Sequence, residues 1–105
     1  MKIIWTESAQ QSQDTAAKYI FDEFGAIPLL DFYNNLDEIE EKLVAFPEIG
    51  KIEPLLQDRS ILYRSIVATK YNKIIYHIDN DIIYIADFWD TRREPKEQAK
   101  RMDKK

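Results

Sequence analysis

The segment 71–93 constrains the fold more than any other part of the chain. It reads YNKIIYHIDNDIIYIADFWDTRR, two runs rich in Ile, Tyr, Phe and Trp that are separated by a short Asp/Asn cluster at 79–81. Such runs, broken by turn-forming residues, predict a β-hairpin. If 79–81 is a three-residue loop, the register places Asp87 directly across from Lys73.

Alternation of side chains along the two strands divides this predicted hairpin into two faces. One face is uncharged and is therefore the predicted core: Ile74, Tyr76, Ile78, Ile82, Tyr84, Ala86 and Phe88. The other face is mixed: Tyr71, Lys73, Ile75, His77, Ile83, Ile85, Asp87 and Trp89. We expect a functional site on the sheet to lie on this mixed face.

Length and composition indicate a single domain, 1–105. A chain of 105 residues is long enough to bury roughly two thirds of its unfolded surface. Two Gly and four Pro leave little room for linkers, and the absence of Cys excludes disulfides and thiolate zinc sites. The apolar start at 2–5 is too short for a signal peptide or a membrane span. These features predict a cytoplasmic protein without a membrane anchor.

The formal net charge of −4 conceals an asymmetry along the chain. Residues 1–58 hold 4 Lys/Arg against 12 Asp/Glu, whereas residues 59–105 hold 11 against 7. The acidic first half repels nucleic acid, while the second half is able to attract a polyanion locally. Charge alone is equally consistent with two solvated faces of opposite sign.

Local signals predict the element order β-α-α-β-β-β with a short terminal helix. A strand at Lys2–Trp5 is followed by Thr6 as an N-cap, Gly25 ends the first helix, and a second helix runs from Pro28 to Pro47. The remaining predicted elements are a loop at Lys51–Asp58, a strand at Ile61–Ala68, the hairpin, and a helix at Lys96–Met102.

Each predicted helix has an apolar face at helical spacing. In the first helix that face is Ala9, Ala16, Ala17, Ile20, Phe21 and Phe24. In the second it is Leu29, Phe32, Tyr33, Leu36, Ile39, Leu43 and Phe46. The sequence thus predicts an α+β fold in which a helical hairpin covers one face of a small, twisted antiparallel sheet.

Several short pieces, taken in order and at their spacing, resemble one protein family. They are Ile4-Trp5-Thr6 with Ala9, Phe46-Pro47 with Gly50-Lys51, Tyr63-Arg64, Lys70-Tyr71 with Ile74-Ile75-Tyr76, Asp79-Asn80-Asp81 with Ile82 to Ile85, and Arg92-Arg93-Glu94-Pro95. Over 3–95 this set resembles the RelE/ParE superfamily, the toxins of bacterial type II toxin–antitoxin systems. The start, the helix exit and the Arg-Arg-x-Pro end look closer to the ParE-like branch and to plasmid-stabilisation proteins.

The resemblance implies a toxin that is neutralised by a cognate antitoxin, as a homodimer or a toxin–antitoxin hetero-oligomer. ParE-like members poison DNA gyrase, and RelE-like members are endoribonucleases that cut mRNA on the ribosome. A third reading is an inactive member that only binds a partner. No cofactor and no metal site are expected under any of these readings, since the chain has one His and no Cys.

The resemblance also points to the residues of an RNA-cutting site. Lys73 stands where RNA-cutting relatives carry a strand arginine, and Arg93 (or Arg92) matches their second arginine. Arg64 is the third candidate cation. It shares a face with Lys73 if the preceding turn has two residues, which we favour, and lies on the opposite face if the turn has three.

The acid–base partners of such a site are missing from the sequence. RNA-cutting relatives place a Tyr or His beyond the second arginine, and 94–105 contains neither. His77 is a weak substitute, and Asp87 across from Lys73 is expected to form a structural ion pair. We therefore interpret Lys73, Trp89, Arg92 and Arg93 as a binding surface for a partner or nucleic acid rather than as a catalytic site.

Overall fold

The computed structural model of the protein describes residues 1–92. In this part of the chain two long helices follow the first strand and four strands follow the helices. The elements are β1 Lys2–Trp5, α1 Glu7–Phe24, α2 Ala26–Ala45, β2 Lys51–Ile52, a 3-10 turn at Pro54–Leu56, β3 Arg64–Val67, β4 Asn72–Asp79 and β5 Ile82–Asp90. The predicted terminal helix at Lys96–Met102 falls outside the described residues.

The strands form one mixed sheet in the order β1-β5-β4-β3-β2. The predicted antiparallel pairing of the last three strands is confirmed, whereas β1 lies parallel to β5. A parallel pair needs a long crossover, and the two helices supply it. A short strand, β2, stands where the sequence predicts a loop, and it pairs antiparallel with β3. The α+β prediction is therefore correct, with a mixed sheet in place of an antiparallel one.

The ends of α1 follow the predicted capping signals. The Thr6 hydroxyl accepts a hydrogen bond from the Ala9 amide at 3.2 Å and donates one to the Ala86 carbonyl at 3.2 Å. The same side chain thus caps the helix and ties it to β5. Gly25 has φ of 92°, a left-handed conformation that favours glycine, and it alone separates α1 from α2.

Both helices pack on one face of the sheet and form the main core. The helices contribute Ala9, Ala17, Phe32, Leu36, Ile39 and Leu43, and the sheet contributes Ile74, Tyr76, Ile83, Ile85 and Phe88. The prediction fails at the end of α1, where Phe21 and Phe24 are 52% and 63% exposed. It also fails for Tyr33 and Phe46 of α2, both of which are exposed.

The β4–β5 register differs from the prediction for two reasons. The turn has two residues, since Asp79 pairs with Ile82, and Asn80 takes a positive φ of 55°, as tight hairpin turns favour. The pairing then shifts at a β-bulge between Ile75 and Tyr76. A bulge adds an unmatched residue to one strand and so changes which side chains share a face.

Because of these two changes, the predicted division of β5 into faces is only half correct. Ile83 and Ile85 belong to the helix-covered core, where the prediction placed Ile82 and Tyr84. Beyond the bulge Phe88 packs in the core as predicted, while Ala86 joins the cluster on the opposite side of the sheet. The predicted faces of β4 are correct.

The buried hydroxyl of Tyr76 anchors the segment that leaves α2. It accepts a hydrogen bond from the Gly50 amide at 2.9 Å and donates one to the Pro47 carbonyl at 2.8 Å. A Cβ atom on Gly50 would lie 2.7 Å from this hydroxyl, so the close approach requires glycine at that position. Tyr76 therefore fixes where the chain turns from α2 towards β2.

We predict that Tyr76→Phe lowers the free energy of unfolding by about 2 kcal/mol, because it removes the hydrogen bonds of the buried Gly50 amide and the half-buried Pro47 carbonyl. Urea unfolding at neutral pH measures the change. Tyr33→Phe, which removes a hydroxyl from an exposed side chain, is the matched control and is expected to change stability by less than about 0.5 kcal/mol. Equal stability of the two variants would contradict the anchoring role.

Candidate functional site: the open face of the sheet

The face of the sheet opposite the helices, called the open face below, carries the residues predicted to act. A small second cluster forms its floor, in which Leu56 of the 3-10 turn and the partly buried Tyr63 pack on Ile75, Ala86 and Trp89. Around this floor lie two polar features, a buried ion pair at Lys73 and an aromatic stack at His77.

Lys73 is paired within the protein. Its Nζ lies 2.8 Å from Oε1 of Glu53, and the Glu53 side chain is fully buried. Glu53 follows directly after β2, and its amide bonds the Tyr63 carbonyl at 2.9 Å, which places the carboxylate over β4. An ammonium held by a buried carboxylate carries little net charge to offer a phosphate. Sequence reasoning missed this pairing because it treated the segment around Glu53 as a loop.

Asp87 does not face Lys73, so the predicted cross-strand ion pair is wrong. The two-residue turn and the bulge together place Asp87 across from Ile75, and Trp89 lies across from Lys73. Asp87 is buried. The error follows directly from the register, because one unmatched residue moves every later pair along the strand.

Arg64 lies on the helix side of the sheet, contrary to the favoured prediction. The β3–β4 turn has three residues, since the Ala68 amide bonds the Asn72 carbonyl at 2.9 Å, and Arg64 therefore pairs with Tyr76. Its guanidinium donates to the Gly50 carbonyl at 2.9 Å and to the Glu48 carbonyl at 3.3 Å. Arg64 thus holds the same segment as the Tyr76 hydroxyl.

His77 is the centre of an aromatic stack on the open face. Its ring is stacked on Tyr84 at 5.2 Å between centroids, with 21° between the planes. Tyr63 approaches edge-on at 5.5 Å. Burial lowers the pKa of His77 below its ordinary value of 6.5, against the weaker opposing effect of the Asp79 carboxylate. The imidazole is therefore held neutral at physiological pH.

Trp89 and Arg92 differ sharply in accessibility. Trp89 is only 2% exposed, so its ring is part of the floor and is not presented to a partner. Arg92 is exposed and is held by Asp90, with Nη2 to Oδ2 at 2.9 Å and Nε to Oδ1 at 3.0 Å. Its guanidinium lies 4.4 Å from the centre of the Tyr71 ring. Arg93 lies outside the described residues.

The described geometry of the open face suits structural support better than phosphate chemistry. The two predicted strand cations do not converge within residues 1–92, because Lys73 is paired with Glu53 and Arg64 lies on the other side of the sheet. A phosphoryl-transfer site needs cations aimed at one point. Within residues 1–92, no group of three His, Asp or Glu side chains is placed to hold a metal ion. In the same range no helix is long and apolar enough to cross a membrane.

Comparison with protein families places the chain beside a known toxin family. The family model described as "ParE toxin of type II toxin-antitoxin system, parDE" matches residues 3–95. A search of curated proteins finds no match.

Comparison with solved structures confirms the fold. The "Chromosomal ParDE TA system from P. aeruginosa" superposes with a TM-score of 0.67 at 15% identity, over 86% of this chain and 95% of that one. A YoeB dimer from Staphylococcus aureus superposes with a TM-score of 0.58 at 19% identity, over 84% of this chain and 93% of that one.

We predict that Lys73→Met lowers the free energy of unfolding by roughly 3 kcal/mol, because it removes the cation that lies 2.8 Å from the buried Glu53 carboxylate. The double variant Lys73→Met/Glu53→Leu is expected to recover much of this loss, since it removes both charges. Urea unfolding of the two variants measures the coupling. Lys42→Met, at an exposed position of α2, controls for the loss of a lysine. A stable single variant would show that Lys73 is not a structural cation.

The neutral His77 predicts a pH dependence of stability. Since its folded pKa is depressed, the imidazole is neutral in both states above pH 6.5, and stability is lost as the pH falls through the unfolded pKa. His77→Phe retains a ring against Tyr84 but cannot titrate. We expect wild type to lose more stability than His77→Phe between pH 7.5 and pH 5.5, measured by urea unfolding at both. Parallel losses would contradict the depressed pKa.

Proposed function

The chain belongs to the ParE toxin family of type II toxin–antitoxin systems, and we propose that it acts by direct protein contact on DNA gyrase. Membership of this family implies a cognate antitoxin as its partner. In this mode of action the toxin binds gyrase as a protein partner and does not cleave RNA.

The observation that carries the proposal is the Lys73–Glu53 pair. The cation that a ribonuclease of this fold would aim at the scissile phosphate is held 2.8 Å from a fully buried carboxylate. To bind a phosphate instead, Lys73 would have to break its ion pair with this buried carboxylate, which is costly. The other predicted strand cation, Arg64, bonds backbone carbonyls on the opposite side of the sheet.

The charge of the chain supports the same proposal. Binding to RNA is dominated by phosphate contacts, yet the chain has a formal net charge of −4, and its first 58 residues are the acidic part. A protein surface is a target for which that charge is no obstacle. The neutral, stacked His77 is likewise positioned by its neighbours rather than aimed at a reacting atom.

We expect the purified protein to inhibit gyrase supercoiling in vitro and to leave transcript ends unchanged when it is expressed in bacteria. Supercoiling of relaxed plasmid and mapping of transcript ends measure the two activities in parallel. The toxin–antitoxin complex is the matched control, because the same toxin chain should then be silent in both assays. New transcript ends with intact supercoiling would overturn the proposal in favour of the RelE-like endoribonuclease. Silence of the free toxin in both assays would leave the inactive, partner-binding reading.

A further inference from the structure

The sheet has two outer edges, and they differ in how well they are protected. β2 forms one edge and β1 the other. β2 has only two residues and is followed by Pro54, which opens the 3-10 turn. Proline has no N–H to offer, and short strands and prolines protect sheet edges from pairing. β1 has four residues and no proline, so its edge lacks this protection.

The backbone of β1 directs hydrogen-bonding groups away from the sheet. The Lys2 amide bonds inward to the Asp81 carbonyl at 3.1 Å, and the Thr6 amide bonds inward to β5 at 3.0 Å. Because the backbone of a strand alternates in direction from residue to residue, the N–H and C=O groups of Ile3 and Trp5 point outward. In the described part of the chain, no backbone or side-chain group bonds these four outward groups.

The side chains at this edge are apolar and only partly covered. Ile3 and Trp5 pack against the core under the helices, and Ile4 lies on the open face, beside Tyr84. All three are half-buried. Val44 of α2 lies next to Ile3 and is 42% exposed. An edge that combines unpaired backbone groups with apolar side chains is a template for a further strand.

We propose that this strand is β1 of a second copy of the chain. The two β1 strands pair antiparallel about a twofold axis at Ile4, so that two five-stranded sheets become one continuous sheet. Ile3 then lies across from Trp5 of the second copy, and Trp5 lies across from its Ile3. Residues of such a pair exchange both of their N–H···O bonds. All the outward groups of both strands are thereby satisfied.

The segment around β1 matches itself in side chains as well as in backbone. On the helix-covered face the pairing brings Ile3 beside Trp5 of the second copy, an aromatic and β-branched pair of the kind that stabilises sheets. On the open face the two Ile4 side chains meet at the axis. Lys2 falls one position away from Glu7 of the second copy, and both are exposed. Opposite charges therefore lie near each other at both ends of the contact.

Two carboxylates of α2 oppose the contact. Glu40 accepts a hydrogen bond from Nε1 of Trp5 at 3.4 Å, and Glu41 lies beside Ile3. The twofold axis brings these carboxylates towards those of the second copy, and like charges across an interface are costly. The dimer is therefore expected to tighten when the two charges are removed.

The first test is a disulfide at the axis. The chain has no Cys, so an introduced one reports on its own position. Directly opposed residues of the Ile4 type have Cα atoms about 4.5 Å apart, which a disulfide is able to bridge. The control is Lys2→Cys, which is more exposed on the same face, but whose two copies would lie roughly 13 Å apart along the strands.

We expect Ile4→Cys to form the disulfide-linked dimer at least tenfold faster than Lys2→Cys on mild oxidation. Non-reducing electrophoresis measures both rates. Random collision favours the more exposed thiol, so an equal or faster rate for Lys2→Cys would overturn the proposal.

The second test removes an outward N–H. Proline is tolerated in edge strands, and Ile3→Pro deletes a donor that the second copy requires. Ile52→Pro is the matched control on the β2 edge, where the inward bond of the Glu53 amide to Tyr63 leaves the Ile52 N–H outward. Sedimentation velocity is expected to show at least tenfold weaker dimerisation for Ile3→Pro and no change for Ile52→Pro. Unchanged dimerisation of a folded Ile3→Pro would refute the register.

The third test removes the opposing charges. Glu40→Gln/Glu41→Gln keeps an oxygen acceptor for Trp5 and is expected to tighten the dimer at least threefold. Glu23→Gln/Asp31→Asn makes the same change in net charge at exposed positions near the Gly25 link, and should stay within twofold of wild type. Equal tightening by both variants would attribute the effect to net charge and contradict the placement of the axis.

The remaining outcomes separate this inference from the proposed function, on which it does not rest. A wild-type toxin that sediments as a monomer at all concentrations overturns the dimer and leaves the gyrase assay untouched. If that monomer is protected from alkylation at Ile4→Cys only by the antitoxin, the β1 edge serves the antitoxin and the proposal fails. If the toxin dimerises through β1 but leaves supercoiling intact, the proposed function fails and the dimer stands.

Discussion

The β-bulge between Ile75 and Tyr76 determines what each face of this molecule presents. Below it, Ile83 and Ile85 complete the core under the helices, and beyond it Phe88 does so. Together with the two-residue turn, this shift moves Asp87 from the position opposite Lys73 and leaves that lysine across from Trp89. Glu53, brought in by β2, then becomes its partner. The length of the turn and one unmatched residue thus decide together the composition of the core and the chemistry of the open face.

What the sequence predicted correctly depends on local signals. The Thr6 cap, the Gly25 stop and the bounds of β1 follow from neighbouring residues, and the structure confirms them. The register of β4 and β5 does not follow from neighbouring residues. An Asp-Asn-Asp turn accepts two or three loop residues, and only the packing of the finished sheet selects between them. The contact between Glu53 and Lys73 could not be predicted from local signals either. The two residues are 20 positions apart in the sequence, and Glu53 follows a two-residue strand that is too short to show a periodic pattern.

The two strand cations, Lys73 and Arg64, are both bonded within the protein and support the fold. Lys73 compensates a buried carboxylate, and Arg64 joins the Tyr76 hydroxyl in holding 47–50. Removal of either cation is therefore expected to lower the stability of the fold, whether or not the residue also contacts a ligand. An exposed cation such as Lys70 carries no such structural role, so a change there costs little stability. Internally bonded cations can be told apart from exposed ones only when their contacts in the folded structure are known.

The helical hairpin shows why a partner is physically useful to this protein. Its apolar pattern continues past the part that the sheet covers, so Phe21 and Phe24 are exposed to water although they belong to the predicted apolar face of α1. Burying such side chains gains about 25 cal/mol for each Å² of apolar area removed from water. A partner that covers them therefore stabilises the folded toxin as well as occupying its surface. Occupation of the hairpin by a partner and stabilisation of the folded chain are therefore one binding event.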